Sequence, residues 1–267
     1  MSEQRYFASD EKDDVELNRL RLLESIFDPT TTRHLESIGV SEGWRCLEVG
    51  AGAGSVSRWL ATRVGPTGKV VAMDIDTRFL TGISLPNLEI YQHDILKGDE
   101  EVDRFDLVHC RALLQNLSEP QKGAERMATA VRPGGWLLIE EFDYGSVLSA
   151  DATNPSASSF TTTIRALCAF LRRAGIADAY FGRQVPGILE HLGFVDVDQE
   201  GWSRVYHGGE PMARFSAGTL RATSKHMIAS GFLTQEQHDN AQQMFLDPAF
   251  IYPGLTMFAA WGRRPIK

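Results

Sequence analysis

Short apolar runs alternate with amphipathic stretches through the middle of this chain, and the alternation predicts its elements. The runs are "RCLEVG" (45–50), "KVVAMDID" (69–76), "LEIYQHDIL" (88–96), "FDLVHCRALL" (105–114) and "GWLLIEEFDYG" (135–145). Each is short and bounded by turn residues, as strands buried in a sheet are. Between the first two, "SVSRWLATRV" (55–64) sets Val56, Trp59, Leu60 and Val64 on one helical face, and "GPTG" (65–68) turns the chain into the next run. Strand, helix, strand in repetition implies βα units and a parallel sheet, an α/β fold.

The flanks read differently. Up to about Ser41 the pattern is helical, with Leu17, Leu20, Leu23 and Phe27 at helical spacing behind an acidic start, so residues 1–41 are expected to form an arm or lid. The remainder, 42–267, is then the main domain. After Gly145 helical patterns dominate: 156–176, 183–194, 211–232 and 234–246, with strands expected at 195–206 and 255–264. The helices in about 145–182 and 211–247 are expected to cap the sheet.

Composition narrows the partners. A chain of 267 residues, 43% hydrophobic, can bury a full core. Its formal charge of −8 argues against nucleic acid and against anionic membrane surfaces, since both need concentrated Lys and Arg. The polar start "MSEQRYFASDEKDD" does not read as a signal peptide, and the expected location is the cytoplasm. Cys46, Cys110 and Cys168 form no CxxC, and the histidines have no ligand spacing, so neither disulfide nor metal is expected. A small molecule is the expected partner, bound by a monomer or homodimer.

Chemistry concentrates where the apolar runs end, which is where open α/β sheets bind ligands. The first run leads into Gly50, Gly52 and Gly54, residues free to adopt backbone angles closed to others and to let a ligand approach. The N–H groups opening the next helix point at whatever the loop holds. Glu48 precedes the loop, Asp74 ends the second run, Asp94 the third, His109 to Arg111 follow the fourth, and Glu140 to Asp143 close the fifth. An acid ending the second strand suits a ribose, so a nucleoside ligand is expected, with Asp74 rather than Asp76 its partner. "GAGAGS" places Ser55 where a pyrophosphate fingerprint has glycine, and Glu48 would repel a pyrophosphate. An ammonium or sulfonium ligand fits better, and S-adenosylmethionine has both.

In "LEVGAGAG", "VVAMDID", "HDIL", "FDLVHCRALLQNL" and "RPGGWLLIEEFD" the chain resembles the class I S-adenosylmethionine-dependent methyltransferases, within them the small-molecule branch of the ubiquinone/menaquinone-biosynthesis type. The resemblance covers about Cys46 to Asp143. It implies a Rossmann-like, mostly parallel seven-stranded sheet with the last strand antiparallel, and S-adenosyl-L-methionine as cofactor. It further implies that Gly50, Gly52 and Gly54 wrap the methionine part, with Glu48 ordering the loop, that Asp74 takes the ribose hydroxyls, and that Ala51 and Ile75 also line the cofactor site. Asp94 then meets the adenine amino group with Ile95 against the ring, and the main chain at His109 and Cys110 reaches the ammonium. Asn116 stands where many relatives have histidine.

On the acceptor side the expected contacts are Tyr6, Phe7, Arg111, Asn116 and Tyr144. A base for an oxygen or protonated nitrogen acceptor is sought in Asp143 and Glu141, then His109. Three other readings compete: a non-methylating rearrangement on the same cofactor, a nicotinamide-dependent oxidoreductase, and a binding protein with a degenerate site. Ser55 and Glu48 argue against the nicotinamide reading.

Overall fold

In this computed structural model, which describes residues 12–98 and 104–266, β1 (Arg45–Val49) and β4 (Phe105–Arg111) run parallel at the middle of a seven-stranded sheet. On one side lie β2 (Lys69–Asp74) and β3 (Leu88–Gln92); on the other lie β5 (Val131–Asp143), β9 (Thr256–Arg263) and β6 (Val195–Trp202). The order is β3-β2-β1-β4-β5-β9-β6, with β9, the last strand in sequence, antiparallel. The Rossmann-like sheet expected from the sequence is the one found. Helix α2 (Ser55–Val64) connects β1 to β2, and α3 (Pro120–Ala130) connects β4 to β5.

Because side chains alternate along a strand, each central strand serves two cores. Leu47, Val49, Val108, Cys110 and Ile139 pack with Ala124 and Met127 of α3 and with Val185 and Leu189 of α5 (Val185–His191). Cys46, Leu107 and Leu138 face the other way, onto Val56 and Leu60 of α2 and Leu35 and Ile38 of α1 (Asp13–Ile38). The same alternation puts Glu48, His109 and Glu140 on the α1–α2 side of the sheet and Glu141 on the α3–α5 side. Gly39, with φ of 92°, ends α1 three residues before the end expected at Ser41.

The chain divides into two compact units. One, which holds most of the sheet, comprises Phe27–Glu141, Phe181–Gly201 and Phe258–Lys267; the other comprises Met1–Ile26, Phe142–Tyr180 and Trp202–Met257. These limits differ from a division at residue 41, because Leu35 and Ile38 at the end of α1 belong to the sheet's core. The second unit contains α4 (Ala157–Arg173), α6 (Pro211–Ala229) and α7 (Gln235–Leu246). Its centre is aromatic, with Phe160 at 5.3, 4.8 and 5.6 Å from the rings of Phe245, Phe250 and Tyr252. The single strand expected at 195–206 is in fact two. β6 stays in the large sheet, whereas β7 (Val205–His207) pairs antiparallel with β8 (Ile251–Pro253), a strand too short to show in the sequence pattern.

Candidate cofactor site

After β1 the chain turns through Gly50, Gly52 and Gly54 with φ of 75°, 57° and 82°. This left-handed backbone costs any residue with a side chain about 1–2 kcal/mol per position. Space is short as well: a Cβ on Gly50 would lie 3.1 Å from Leu113 Cδ1, and one on Gly54 would lie 2.5 Å from Ile83 Cδ1. Four of the loop's own N–H groups are engaged. Those of Gly50 and Ala51 donate to Met73 O at 2.8 and 3.1 Å, that of Gly54 to Ala51 O at 2.8 Å, and that of Gly52 to Asp74 Oδ2 at 2.8 Å. At the start of α2 the N-cap, Gly54, has no side chain to accept from the N–H groups of the first turn.

Asp74 therefore ties the loop to the end of β2. Its Oδ1 also accepts from Asp76 N at 2.9 Å, and a carboxylate's four or so acceptor positions leave capacity for a diol. Burial raises its pKa, against the pull of the bonds from Asp76 and Gly52. Asp76 is otherwise occupied, pairing through Oδ2 with Arg78 Nε at 3.0 Å. Asp94 caps a short 3-10 turn, Ile95–Lys97, by accepting from Leu96 N at 3.0 Å. Ile95, expected against an adenine ring, is 4% exposed and packs in the core, whereas Ile75, beside Asp74, is 39% exposed.

The largest correction concerns β4. His109 and Cys110 do not follow the strand; they lie within it, paired with Glu48 and Val49 on one side and Leu138 and Ile139 on the other. Their main chain is thus part of the sheet, and Cys110 is core. The strand ends later, at Arg111, and Ala112 makes the turn with φ of 54°. His109 is fully buried, with Nδ1 2.6 Å from Glu48 Oε2 and Nε2 3.3 Å from Glu140 Oε2. Burial works against its charge, but the two carboxylates overcome it and push its pKa up to about 9, so His109 is an imidazolium at neutral pH. The charge of Glu48 is matched inside the protein rather than offered to a ligand.

Glu140 continues the array. Its Oε1 lies 2.8 Å from His34 Nδ1 and its Oε2 accepts from Thr31 Oγ1 at 2.5 Å; His34 Nε2 lies 2.9 Å from Glu200 Oε2, which pairs with Arg33 at 2.7 Å. Burial opposes the charges here too, yet the bonds to His109 and His34 hold Glu140 well below the usual carboxylate range, and Glu140 and Glu200 raise His34. Arg111, expected to clamp an acceptor, is spent on α1: Nη1 donates to Thr31 Oγ1 and Nη2 to Asp28 Oδ1, both at 2.9 Å. Asp28, Thr31, His34 and Glu200 escaped the sequence reading. Their signal was three polar residues at helical spacing, 28, 31 and 34, on the helix face that also bears Leu35 and Ile38.

Glu141, a candidate base, is a loop anchor. Its Oε1 accepts from Leu113 N at 2.9 Å and Leu114 N at 2.6 Å, holding Leu113 beside Gly50. Burial pushes its pKa up to about 8, and its Oε2 has no partner among the described residues. Asn116 Nδ2 donates to Ala112 O at 2.8 Å, closing the turn after β4. In the other unit, Asp143 accepts from Gly145 N at 2.7 Å, and burial raises the Tyr144 phenol. Tyr6 and Phe7 lie outside the described residues. Among the described residues no cluster of His, Cys, Asp or Glu has metal-ligand geometry, and no helix is long and apolar enough to cross a membrane.

A glycine loop ending β1, an acid ending β2 and the β3-β2-β1-β4-β5-β9-β6 order define a class of nucleoside-cofactor proteins, and comparison with known proteins says which. The family described as a methyltransferase domain matches residues 7–199, and the chain belongs to it, among the class I S-adenosylmethionine-dependent methyltransferases. The ubiquinone/menaquinone biosynthesis C-methyltransferase UbiE of Pseudomonas savastanoi pv. phaseolicola is 33% identical over 117 residues, 40% of this chain and 45% of that protein. The match thus spans about half the length of such relatives. Methyltransferase str2 of Strobilurus tenacellus is 26% identical over 182 residues, 67% of this chain and 63% of its own. Among solved structures, a Haemonchus contortus phosphoethanolamine N-methyltransferase 2, bound to phosphomonomethylethanolamine and S-adenosylhomocysteine, superposes with a TM-score of 0.60 at 16% identity. That match covers 99% of this chain and 60% of the other.

Proposed function

We propose that the protein transfers a methyl group from S-adenosyl-L-methionine to a small-molecule acceptor, at oxygen, nitrogen or carbon, in secondary metabolism. The observation that carries this reading is the left-handed Gly50–Gly54 loop closed onto Asp74 by the Gly52 N–H. When bound, the cofactor supplies an electrophilic methyl group on a sulfonium. Gly50, Ala51, Gly52 and Gly54 give the close backbone approach its amino-acid part needs, Asp74 takes the ribose hydroxyls, Ile75 flanks the ring and Asp94 receives the adenine amino group. Methyl transfer is an in-line displacement, so the chain's main contributions are alignment and exclusion of water.

Of the three bases considered, Asp143 is the one we retain. Glu141 Oε1 is committed to Leu113 and Leu114, which makes that residue a loop anchor first, and both ring nitrogens of His109 face carboxylates, Glu48 and Glu140. We further propose a cytoplasmic monomer or homodimer with no nucleic-acid partner, consistent with the −8 charge. The test is a screen of phenols, amines and polyketide-like acceptors with radiolabelled cofactor. Label should transfer to at least one class, and Asp143→Asn should lower turnover by about 10²–10⁴-fold without changing cofactor affinity. Failure of the wild type both to label an acceptor and to bind S-adenosylhomocysteine would overturn the reading.

A further inference from the structure

The glycine loop is bracketed by two polar residues whose bonds lead away from the ligand side. Glu48 stands two residues before Gly50, and Ser55 follows Gly54 directly. From Glu48 the contacts run to His109 (2.6 Å), to Glu140 (3.3 Å), to Thr31 (2.5 Å), to Arg111 (2.9 Å), to Asp28 (2.9 Å) and from Asp28 Oδ1 to Ser55 Oγ (3.0 Å). Both ends of the loop thus belong to one hydrogen-bonded circuit, which passes through β4, β5 and the Asp28–His34 stretch of α1. Resting on the methyltransferase reading, we infer that His109 is a positioning residue: through Glu48 on one side, and through Glu140, α1 and Ser55 on the other, it keeps the Gly50–Gly54 loop in the shape that takes the cofactor.

The circuit needs an imidazolium. His109 faces Glu48 from β1 and Glu140 from β5; behind Glu140 stand His34 from α1 and Arg111 from β4, and behind His34 stand Glu200 from β6 and Arg33. A protonated ring donates to both carboxylates, whereas a neutral ring has one N–H. The shorter contact, to Glu48, keeps that proton, leaving Nε2 and Glu140 Oε2 lone pair to lone pair. Deprotonation therefore breaks the circuit between β4 and β5 and separates the loop's leading end from α1.

The test is calorimetric titration with S-adenosylhomocysteine from pH 7 to 10, on the wild type, His109→Gln and Asp28→Ala. Comparing each variant with the wild type at every pH cancels the ligand's own titration. At pH 7 His109→Gln should bind about tenfold more weakly, and this gap should close toward none by pH 10, once the wild-type ring is neutral. Asp28→Ala, at the partly exposed far end, should cost about threefold at pH 7. It also keeps the inference testable if the buried variant does not fold. Wild-type affinity in a folded Asp28→Ala, or a His109→Gln gap that is absent at pH 7 or constant with pH, overturns the inference while leaving the methyltransferase reading intact. A wild type that does not bind S-adenosylhomocysteine overturns both.

Discussion

Asp74 at the end of β2 and Asp94 just past β3, and Glu48 and Glu140 within β1 and β5, are all carboxylates toward the same edge of the sheet, yet they end in opposite states. Asp74 and Asp94 bond to backbone N–H groups, those of Gly52 and Asp76 for the first and of Leu96 for the second, and remain partly exposed. Glu48 and Glu140 are 3% and 0% exposed and bond to an imidazolium between them. Position in the sheet accounts for the difference. β3 is the edge strand and β2 its neighbour, so a carboxylate at their ends stays near water. β1, β4 and β5 are central and covered on both faces, where a charge persists only if another neutralises it. Register completes the pairing, setting Glu48 beside His109 and Glu140 beside Arg111.

Substitutions can break this contrast, and the largest effect should come from the central strands. Glu140→Gln leaves His109 and His34 without the carboxylate between them and should cost about 3–5 kcal/mol in urea-unfolding free energy at pH 7, the usual penalty for opening a buried ion pair. An Asp74→Ala change should barely move unfolding but weaken S-adenosylhomocysteine binding about 30- to 150-fold, or 2–3 kcal/mol, by calorimetry. That pairing of results sharpens the distinction: the interior acid serves the fold, and the edge acid serves the ligand.

Smaller effects follow. Glu141 carries a raised pKa, so the folded protein holds a proton that the unfolded chain releases, and its contribution to stability falls as pH rises from about 4.5 through about 8. Glu141→Gln can still accept from Leu113 and Leu114 and has no proton to lose. Its stability relative to wild type should therefore rise over that window, as thermal melts across pH would show. For His109 the sign is also set by a raised pKa: its stabilisation is complete below about 6.5 and is lost as pH climbs through about 9. Asp76→Ala, which removes only the pairing with Arg78, should change cofactor affinity by less than about 0.5 kcal/mol; a larger loss there than at Asp74 would reverse the ribose assignment.

Much of the fold was legible because it rests on local pattern. Five apolar runs became β1 to β5, and the glycines and Asp74 announced their conformations and position through residue type alone. Of the candidate site, the left-handed glycines and the place of Asp74 at the end of β2 were legible, because they depend on residue type and local pattern. The partners of His109, Arg111 and Glu141 were not legible, since nothing local says that β4 continues to Arg111, or that α1 brings Asp28, Thr31 and His34 against it. Those contacts span separations of 80 and more residues. The burial of Ile95 was hidden for a related reason: an apolar side chain suits a ligand's ring or a protein core equally, and only the folded packing places it in the core with Ala124 and Met127.

Calorimetric titration of the wild-type protein with S-adenosylhomocysteine and, separately, with NADH tests the central claim most directly. The account predicts saturable one-to-one binding of S-adenosylhomocysteine, lost to the extent stated in Asp74→Ala, and no heat from NADH. Binding of NADH without S-adenosylhomocysteine, or equal S-adenosylhomocysteine affinity in wild type and Asp74→Ala, would contradict it.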